Sequence, residues 1–148
     1  MQMAELTAKR STCLRRNVGA VISKDRHVIA TGYNGAPRGI LHCDERGECL
    51  REKLNIPSGQ RHELCRALHA EQNAICQAAR HGISLEGGTL YCKMEPCRVC
   101  AMLIVTVGIK RVVCRKRYHA AQDTREMFLK AGIELVVTED SAEQYPDQ

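Results

Sequence analysis

The chain reads as an α/β protein, a three-layer α-β-α arrangement around a five-stranded mixed sheet. Three observations predict this. From Arg66 onward, helical apolar periodicity alternates with short β-branched runs, the pattern of βαβ units. Ahead of that, two β-branched runs flank a short polar turn and read as an antiparallel pair. The 148 residues are 44% hydrophobic and 26% charged, which suits one buried core in a globular chain. Residues 1–148 are therefore expected to form a single domain.

The elements follow in order. Residues 3–16 read as a helix, apolar at Leu6, Cys13 and Leu14. Val18-Gly19-Ala20-Val21-Ile22 and His27-Val28-Ile29-Ala30-Thr31 read as strands joined through Lys24-Asp25-Arg26. Gly32-Tyr33-Asn34-Gly35-Ala36-Pro37-Arg38-Gly39 breaks regular structure. About thirty residues follow before the next clear helix, and loops of that length are usually functional or pinned by something other than a core. This loop, at about 35–65, carries Cys43, Cys49, His62 and Cys65. Residues 66–81 predict a helix with a stripe at Leu68, Ala74, Ile75, Ala78 and Ala79, stopped by Gly82. Thr89-Leu90-Tyr91-Cys92 is a strand. Pro96 introduces a helix over 97–107 that Gly108 closes. Arg111-Val112-Val113-Cys114 is a strand, 123–130 a helix stopped by Gly132, and Ile133-Glu134-Leu135-Val136-Val137 a last strand. The tail through Tyr145-Pro146-Asp147-Gln148 is polar and expected to be loose. With no Trp and one Phe, aliphatic residues must fill the core, and Cys76, Cys92 and Cys114 are expected to join them.

Composition narrows the function. A net charge of +5 suits a small anion but, without a long Lys/Arg run, does not call for nucleic acid. The first residues lack the apolar core of a signal peptide, and no apolar run reaches membrane-spanning length. Nine cysteines without an export signal point to metal ligation or buried thiols rather than disulfides. A cytoplasmic location with no membrane partner is the expectation.

Chemistry concentrates in His69-Ala70-Glu71 and Pro96-Cys97-Arg98-Val99-Cys100. One histidine and two cysteines are three ligands of the kind zinc prefers, and catalytic zinc sites keep a fourth position for water. Cys97 and Cys100 are three apart on a first helical turn, where the helix dipole favours thiolates. Glu71 is placed as the general acid/base beside the bound water. The bland reading is a closed zinc site, with Cys43, Cys49 or Cys65 as fourth ligand and Glu71 a surface acid. The spacing H-x-E…P-C-x-x-C is the signature of zinc nucleobase deaminases.

More of the chain resembles the deoxycytidylate (dCMP) deaminases of the cytidine deaminase superfamily. The likeness runs from Arg10 to about Val137. It rests on Arg10-Ser11-Thr12-Cys13 with Val18-Gly19-Ala20-Val21, on Gly32-Tyr33-Asn34-Gly35 through Gly39, on His69-Ala70-Glu71-Gln72-Asn73-Ala74-Ile75, on the Pro96–Cys100 motif, and on Gly108-Ile109-Lys110-Arg111-Val112-Val113. The zinc motifs are common to the superfamily; Gly-Tyr-Asn-Gly before a long loop points to the dCMP branch. The resemblance implies a cytidine deaminase-like fold and hydrolysis of dCMP to dUMP and ammonia, which supplies thymidylate synthesis in pyrimidine metabolism. It implies that Asn34 bonds the sugar hydroxyl, that Arg38 is a cation near the phosphate, and that Tyr118 is an aromatic beside the substrate. It implies a homo-oligomer, hexamer or dimer, with dCTP and dTTP as allosteric effectors. It also implies a second, structural zinc on Cys43, Cys49 and Cys65 with His62 or Cys13.

Three rivals stand beside this reading. One is deamination of another cytosine nucleotide or nucleoside, of which free cytidine, like a pyrimidine intermediate, needs no phosphate pocket. Another is deamination of tRNA adenosine, which the absence of a basic tail and interleaved aromatics disfavours. The third, of a different class, is a non-catalytic interaction module stabilised by zinc, with four protein ligands at every metal.

Overall fold

In the computed structural model, which describes residues 1–143, the chain runs α1 (Gln2–Ala8), β1 (Gly19–Lys24), β2 (His27–Tyr33), α2 (Cys43–Arg46), α3 (Leu50–Lys53), a 3-10 turn (His62–Leu64), α4 (Ala70–Arg80), β3 (Thr89–Met94), α5 (Arg98–Thr106), β4 (Arg111–Lys116), α6 (Gln122–Ala131) and β5 (Glu134–Val137). The five strands form one sheet in the order β2-β1-β3-β4-β5. β1 is antiparallel to both neighbours, and β3, β4 and β5 are mutually parallel. The mixed five-stranded sheet expected from the sequence is thus present. The expected loose tail, Tyr145-Pro146-Asp147-Gln148, lies outside the described residues.

The hairpin turns through Asp25 and Arg26, at φ 49° and 65°. Two successive positive φ values make the turn whose twist matches paired strands. Register then sorts the two faces. Ala20 pairs with Gly32 on one side and Cys92 on the other, and Cys92 pairs with Cys114. That row faces α4, because a Cβ on Gly32 would lie 2.2 Å from the Ala70 carbonyl oxygen and 2.4 Å from the Ala74 nitrogen. The adjacent Gly19 faces the other way, and its Cβ would lie 2.1 Å from the Ala4 carbonyl oxygen of α1. Helices therefore cover both faces. The main core lies on the α4 side, where Ile22, Leu90, Cys92, Val112 and Cys114 pack with Ile104 of α5 and Phe128 of α6. Among the described residues, no helix is long and apolar enough to cross a membrane.

Three expectations need correction. The first helix ends at Ala8, not near residue 16. Ser11 diverts the chain: its hydroxyl accepts from the Cys13 amide at 3.2 Å and lies 3.2 Å from the carbonyl oxygens of Arg16 and Asn34, an alternative to helical bonding. Helix α4 begins at Ala70, because Leu68 bridges to Gly35 in extended backbone, its amide donating to the Gly35 carbonyl at 2.9 Å. Cys76, expected in the core, is exposed on the outer face of α4. The cysteine-bearing loop is itself partly ordered, holding α2, α3 and the 3-10 turn.

Candidate active site

The antiparallel β1 points its amino end where β2, β3 and β4 point their carboxyl ends. Ligands of open α/β sheets bind at such an edge. Asn34 follows β2, Glu95 follows β3, Tyr118 follows β4, and Val18 precedes β1; all four line one cavity. His69 and Glu71 enter it from the start of α4, and Cys97 from the start of α5.

His69 is the N-cap of α4, with extended backbone at φ −70° and ψ 158°. Its amide donates to Gln72 Oε1 at 2.8 Å, which satisfies one orphan group of the helix end. Cys97 is the N-cap of α5 in a similar conformation, and Pro96, fully buried, holds the approach. His69 Nδ1 lies 3.5 Å from Cys97 Sγ and 3.4 Å from Cys100 Sγ. These three ligand atoms all fall within 4.8 Å of one another. A tetrahedral zinc, with Zn–N about 2.0 Å and Zn–S about 2.3 Å, sets nitrogen and sulfur about 3.5 Å apart. The donor set and its spacing therefore fit zinc.

Charge in the cluster is tightly coupled. The Cys100 thiol beside it, helped by the His62 and His69 rings, pulls the Cys97 thiol down to about 2 against the opposing effect of burial. The same contact and burial push Cys100 up, so the pair shares one proton. Burial alone would lower His69; the bond to Cys97 and the charges of Cys97 and Glu71 raise it. Glu71 is 6% exposed, and desolvation holds its carboxyl above the usual range although His69 opposes this. A buried carboxyl with a raised pKa beside a metal set is equipped both to accept and to return a proton.

The other expected residues separate into two groups. Asn34, 6% exposed, lines the cavity. Its Oδ1 accepts from the Val18 amide at 2.9 Å and its Nδ2 donates to the Arg16 carbonyl at 2.7 Å. A carboxamide has capacity for about four bonds, so two do not exhaust it. Tyr118 lines the cavity and is 7% exposed, its hydroxyl bonded to Ser58 of the long loop. Arg38 is exposed and does not line the cavity. Cys43, Cys49, Cys65 and Cys13 come near enough for their charges to act on one another, which with burial raises Cys43 and Cys65. The His62 ring meets that of His69 edge-on, centroids 5.2 Å apart, and lines the same cavity as Cys13, Cys49 and Cys65.

Four residues escaped the sequence reading. Glu95, 2% exposed, receives a two-pronged contact from Arg125, Nε to Oε1 at 2.9 Å and Nη2 to Oε2 at 2.6 Å. It also accepts from the Tyr118 amide at 2.9 Å, tying the Pro96 turn to Tyr118. Arg15, Arg16 and Arg51 line the cavity. An acid directly before Pro-Cys and arginines two residues after Cys13 and Cys49 were the available signals, but isolated charges carry little meaning without contacts.

Comparison with known proteins bears on this geometry. A family model described as the cytidine and deoxycytidylate deaminase zinc-binding region matches residues 1–116. The chain is 42% identical over 135 residues to a deoxycytidylate deaminase of Schizosaccharomyces pombe, covering 91% of this chain and 41% of that one. It is 40% identical over 133 residues to a deoxycytidylate deaminase of Saccharomyces cerevisiae, covering 90% and 41%. It thus spans about two-fifths of the length of these two relatives. The dCMP deaminase of cyanophage S-TIM5, solved with dCMP and dUMP, superposes with a TM-score of 0.70 at 28% identity, covering 90% of each chain.

Proposed function

We propose that this chain, which belongs to the cytidine and deoxycytidylate deaminase family, is a zinc-dependent hydrolase that converts dCMP and water to dUMP and ammonia. The observation that carries this reading is the buried Glu71 carboxyl in the cavity that His69 and Cys97 also line, beside the zinc-spaced set of His69, Cys97 and Cys100. His69, Cys97 and Cys100 would hold the zinc. When bound, zinc supplies a water acidic enough to ionise near neutral pH. Glu71 takes that proton as the water oxygen adds to the carbon bearing the exocyclic amine. Glu71 gives that proton to the ring nitrogen, then takes the second water proton from the hydroxyl of the adduct and passes it to the departing nitrogen, so that the carbonyl forms as the C–N bond breaks and ammonia leaves. Burial favours its protonated form and makes it an effective donor in the second half. Asn34 offers its remaining capacity to the sugar hydroxyl, and Tyr118 gives the base an aromatic wall.

The reading takes residues 1–148 as one deaminase domain. It adds a structural zinc on Cys13, Cys43, Cys49 and Cys65, supported by the mutual electrostatic reach of these thiols and by the position of His62 against Cys97. Two zinc ions per chain by metal analysis test that part. A homo-oligomer, cytoplasmic, with dCTP and dTTP as effectors belongs to the same reading, and light scattering and rate measurements with those nucleotides test it.

The central experiment is an ammonia-release assay over dCMP, dCTP, deoxycytidine, cytidine and adenosine-containing RNA. Turnover concentrated on dCMP is the expected result. Turnover on adenosine RNA alone, or on no cytosine compound, would refute the assignment.

A further inference from the structure

We propose that Glu95, gripped by Arg125, is a positioning residue of the reaction: it holds the Cys97 ligand and the Tyr118 wall at one fixed spacing. This role rests on the deaminase reading above and brings into the chemistry a pair that the reading leaves outside it. Glu95 stands directly before the Pro96-Cys97 turn. Its amide donates to the carbonyl of Lys116, the last residue of β4, at 3.0 Å. Pro96, between Glu95 and Cys97, is fully buried and has a fixed φ, so the chain from the carboxylate to the ligand has little slack. Glu95, Cys97 and Tyr118 line the same cavity as His69 and Glu71.

The ion pair holds the Tyr118 backbone at both its polar groups. Glu95 Oε2 accepts from the Tyr118 amide at 2.9 Å. Arg125 Nη2, which donates to the same Oε2 at 2.6 Å, lies 3.4 Å from the Tyr118 carbonyl oxygen. The second carboxylate oxygen takes Arg125 Nε at 2.9 Å and Arg117 Nη1 at 3.4 Å. The Glu95 side chain is fully buried, whereas those of Arg125 and Arg117 are 34% and 37% exposed. The carboxylate is therefore the fixed point, and the cations reach in to it from the start of α6 and the end of β4.

Stability alone does not call for this arrangement. A buried carboxylate forfeits its hydration, and an apolar pair of similar volume often serves a core as well or better. An apolar pair could not accept from one side of the Tyr118 residue and donate to the other. The reaction has a use for that grip. A base lying on Tyr118 must present its amine-bearing carbon to the water beside Glu71, and a misplacement of about 1 Å can lower a rate by about 100-fold.

The test uses the full chain and its E95Q, R125Q and E95Q/R125Q variants, all well below their unfolding transitions. It measures kcat and KM for dCMP per zinc-loaded chain, and the rate at which zinc passes to a chromophoric chelator in the phase that a Cys97→Ser variant lacks. Glu95→Gln keeps the shape and can still accept from the Tyr118 amide, but it breaks the charged fork. In E95Q, kcat should fall on the order of 10- to 100-fold and zinc release should quicken by about tenfold or more. KM should move by less than about threefold, since the wall is displaced rather than removed. The double variant should be no worse than E95Q, because the two side chains act as one unit. Parent-like kcat and zinc release with only a lowered melting temperature would reduce the pair to structural support and overturn the proposal. A loss carried by KM with kcat kept, or losses that add in the double variant, would overturn it too. If E95Q fails to fold, R125K carries the test, since it keeps the charge and loses the fork: lower kcat with faster zinc release supports the proposal, and parent-like values of both overturn it. A parent chain inactive on every cytosine compound would sink the functional reading instead, and the zinc-release comparison alone would then judge the pair.

Discussion

Two groups of cysteines in this chain share a chemistry and differ in how they are held. Cys97 and Cys100, with His69, sit at the starts of two helices that pack into the main core, and their ligand atoms close to 3.4–3.5 Å. Cys13, Cys43, Cys49 and Cys65 sit on the segment after α1, on one-turn helices, and after the 3-10 turn. They come within electrostatic reach of one another, yet among the described residues only the first set reaches metal-ligand spacing. Helix starts supply positive potential and fixed backbone, so the first site is built before any ion arrives. A loop with little apolar surface gains its order from whatever its thiols bind. We read the first group as serving chemistry and the second as serving the position of the loop that walls the cavity.

The strongest way to break that contrast is Glu71→Gln. It should lower kcat by about 10²- to 10⁴-fold or more while the zinc content of the protein is unchanged; turnover near the parent level would remove Glu71 from the mechanism. Arg125→Leu comes next. It leaves the buried Glu95 with weaker partners and should destabilise the protein by about 3–5 kcal/mol in denaturant unfolding. Burial would raise Glu95, but its bonds to Arg125 and the Tyr118 amide hold its carboxyl below the usual range. A depressed carboxyl stabilises the fold above its unfolded value, and that contribution is lost as pH falls through the folded value. The Arg125→Leu variant should therefore lose stability less steeply with falling acid pH than the parent; an unchanged acid limb would argue against the pair.

A subtler break targets the loop. Cys43→Ser should remove one zinc per chain and raise KM for dCMP by about tenfold, with kcat largely kept, because its effect passes through the loop that lines the cavity. A collapse of kcat with unchanged KM would show that the loop cysteines belong to the chemistry after all. The smallest effect is expected at Cys76→Ser, on the exposed face of α4. Surface changes of this kind stay within about 0.5 kcal/mol, and thermal unfolding should barely move; a loss of several degrees would place Cys76 in an unrecognised contact.

Local patterns explain why the architecture was legible. β-branched runs, the Pro96 start and the Gly82, Gly108 and Gly132 stops act within a few residues of themselves. The first helix was misread because Cys13 and Leu14 continue an apolar stripe, whereas the deciding event is the Ser11 hydroxyl capturing nearby backbone. Cys76 was misread because a thiol in a helix suits either face, and only the packing of α4 against the sheet chooses one.

The sequence by itself determined the order of elements and named His69, Glu71, Cys97 and Cys100 as a zinc and proton-transfer set, since ligand type and spacing are local properties. Tertiary structure alone decided which charges surround that set. It put Arg16, Arg51 and Tyr118 on the cavity wall, left Arg38 exposed, bound Glu95 to Arg125, and set the His62 ring against His69. The physical reason is that metal ligands announce themselves by residue type. A lone charged residue acquires its surroundings only through burial and partners, and those come from segments far apart in the chain.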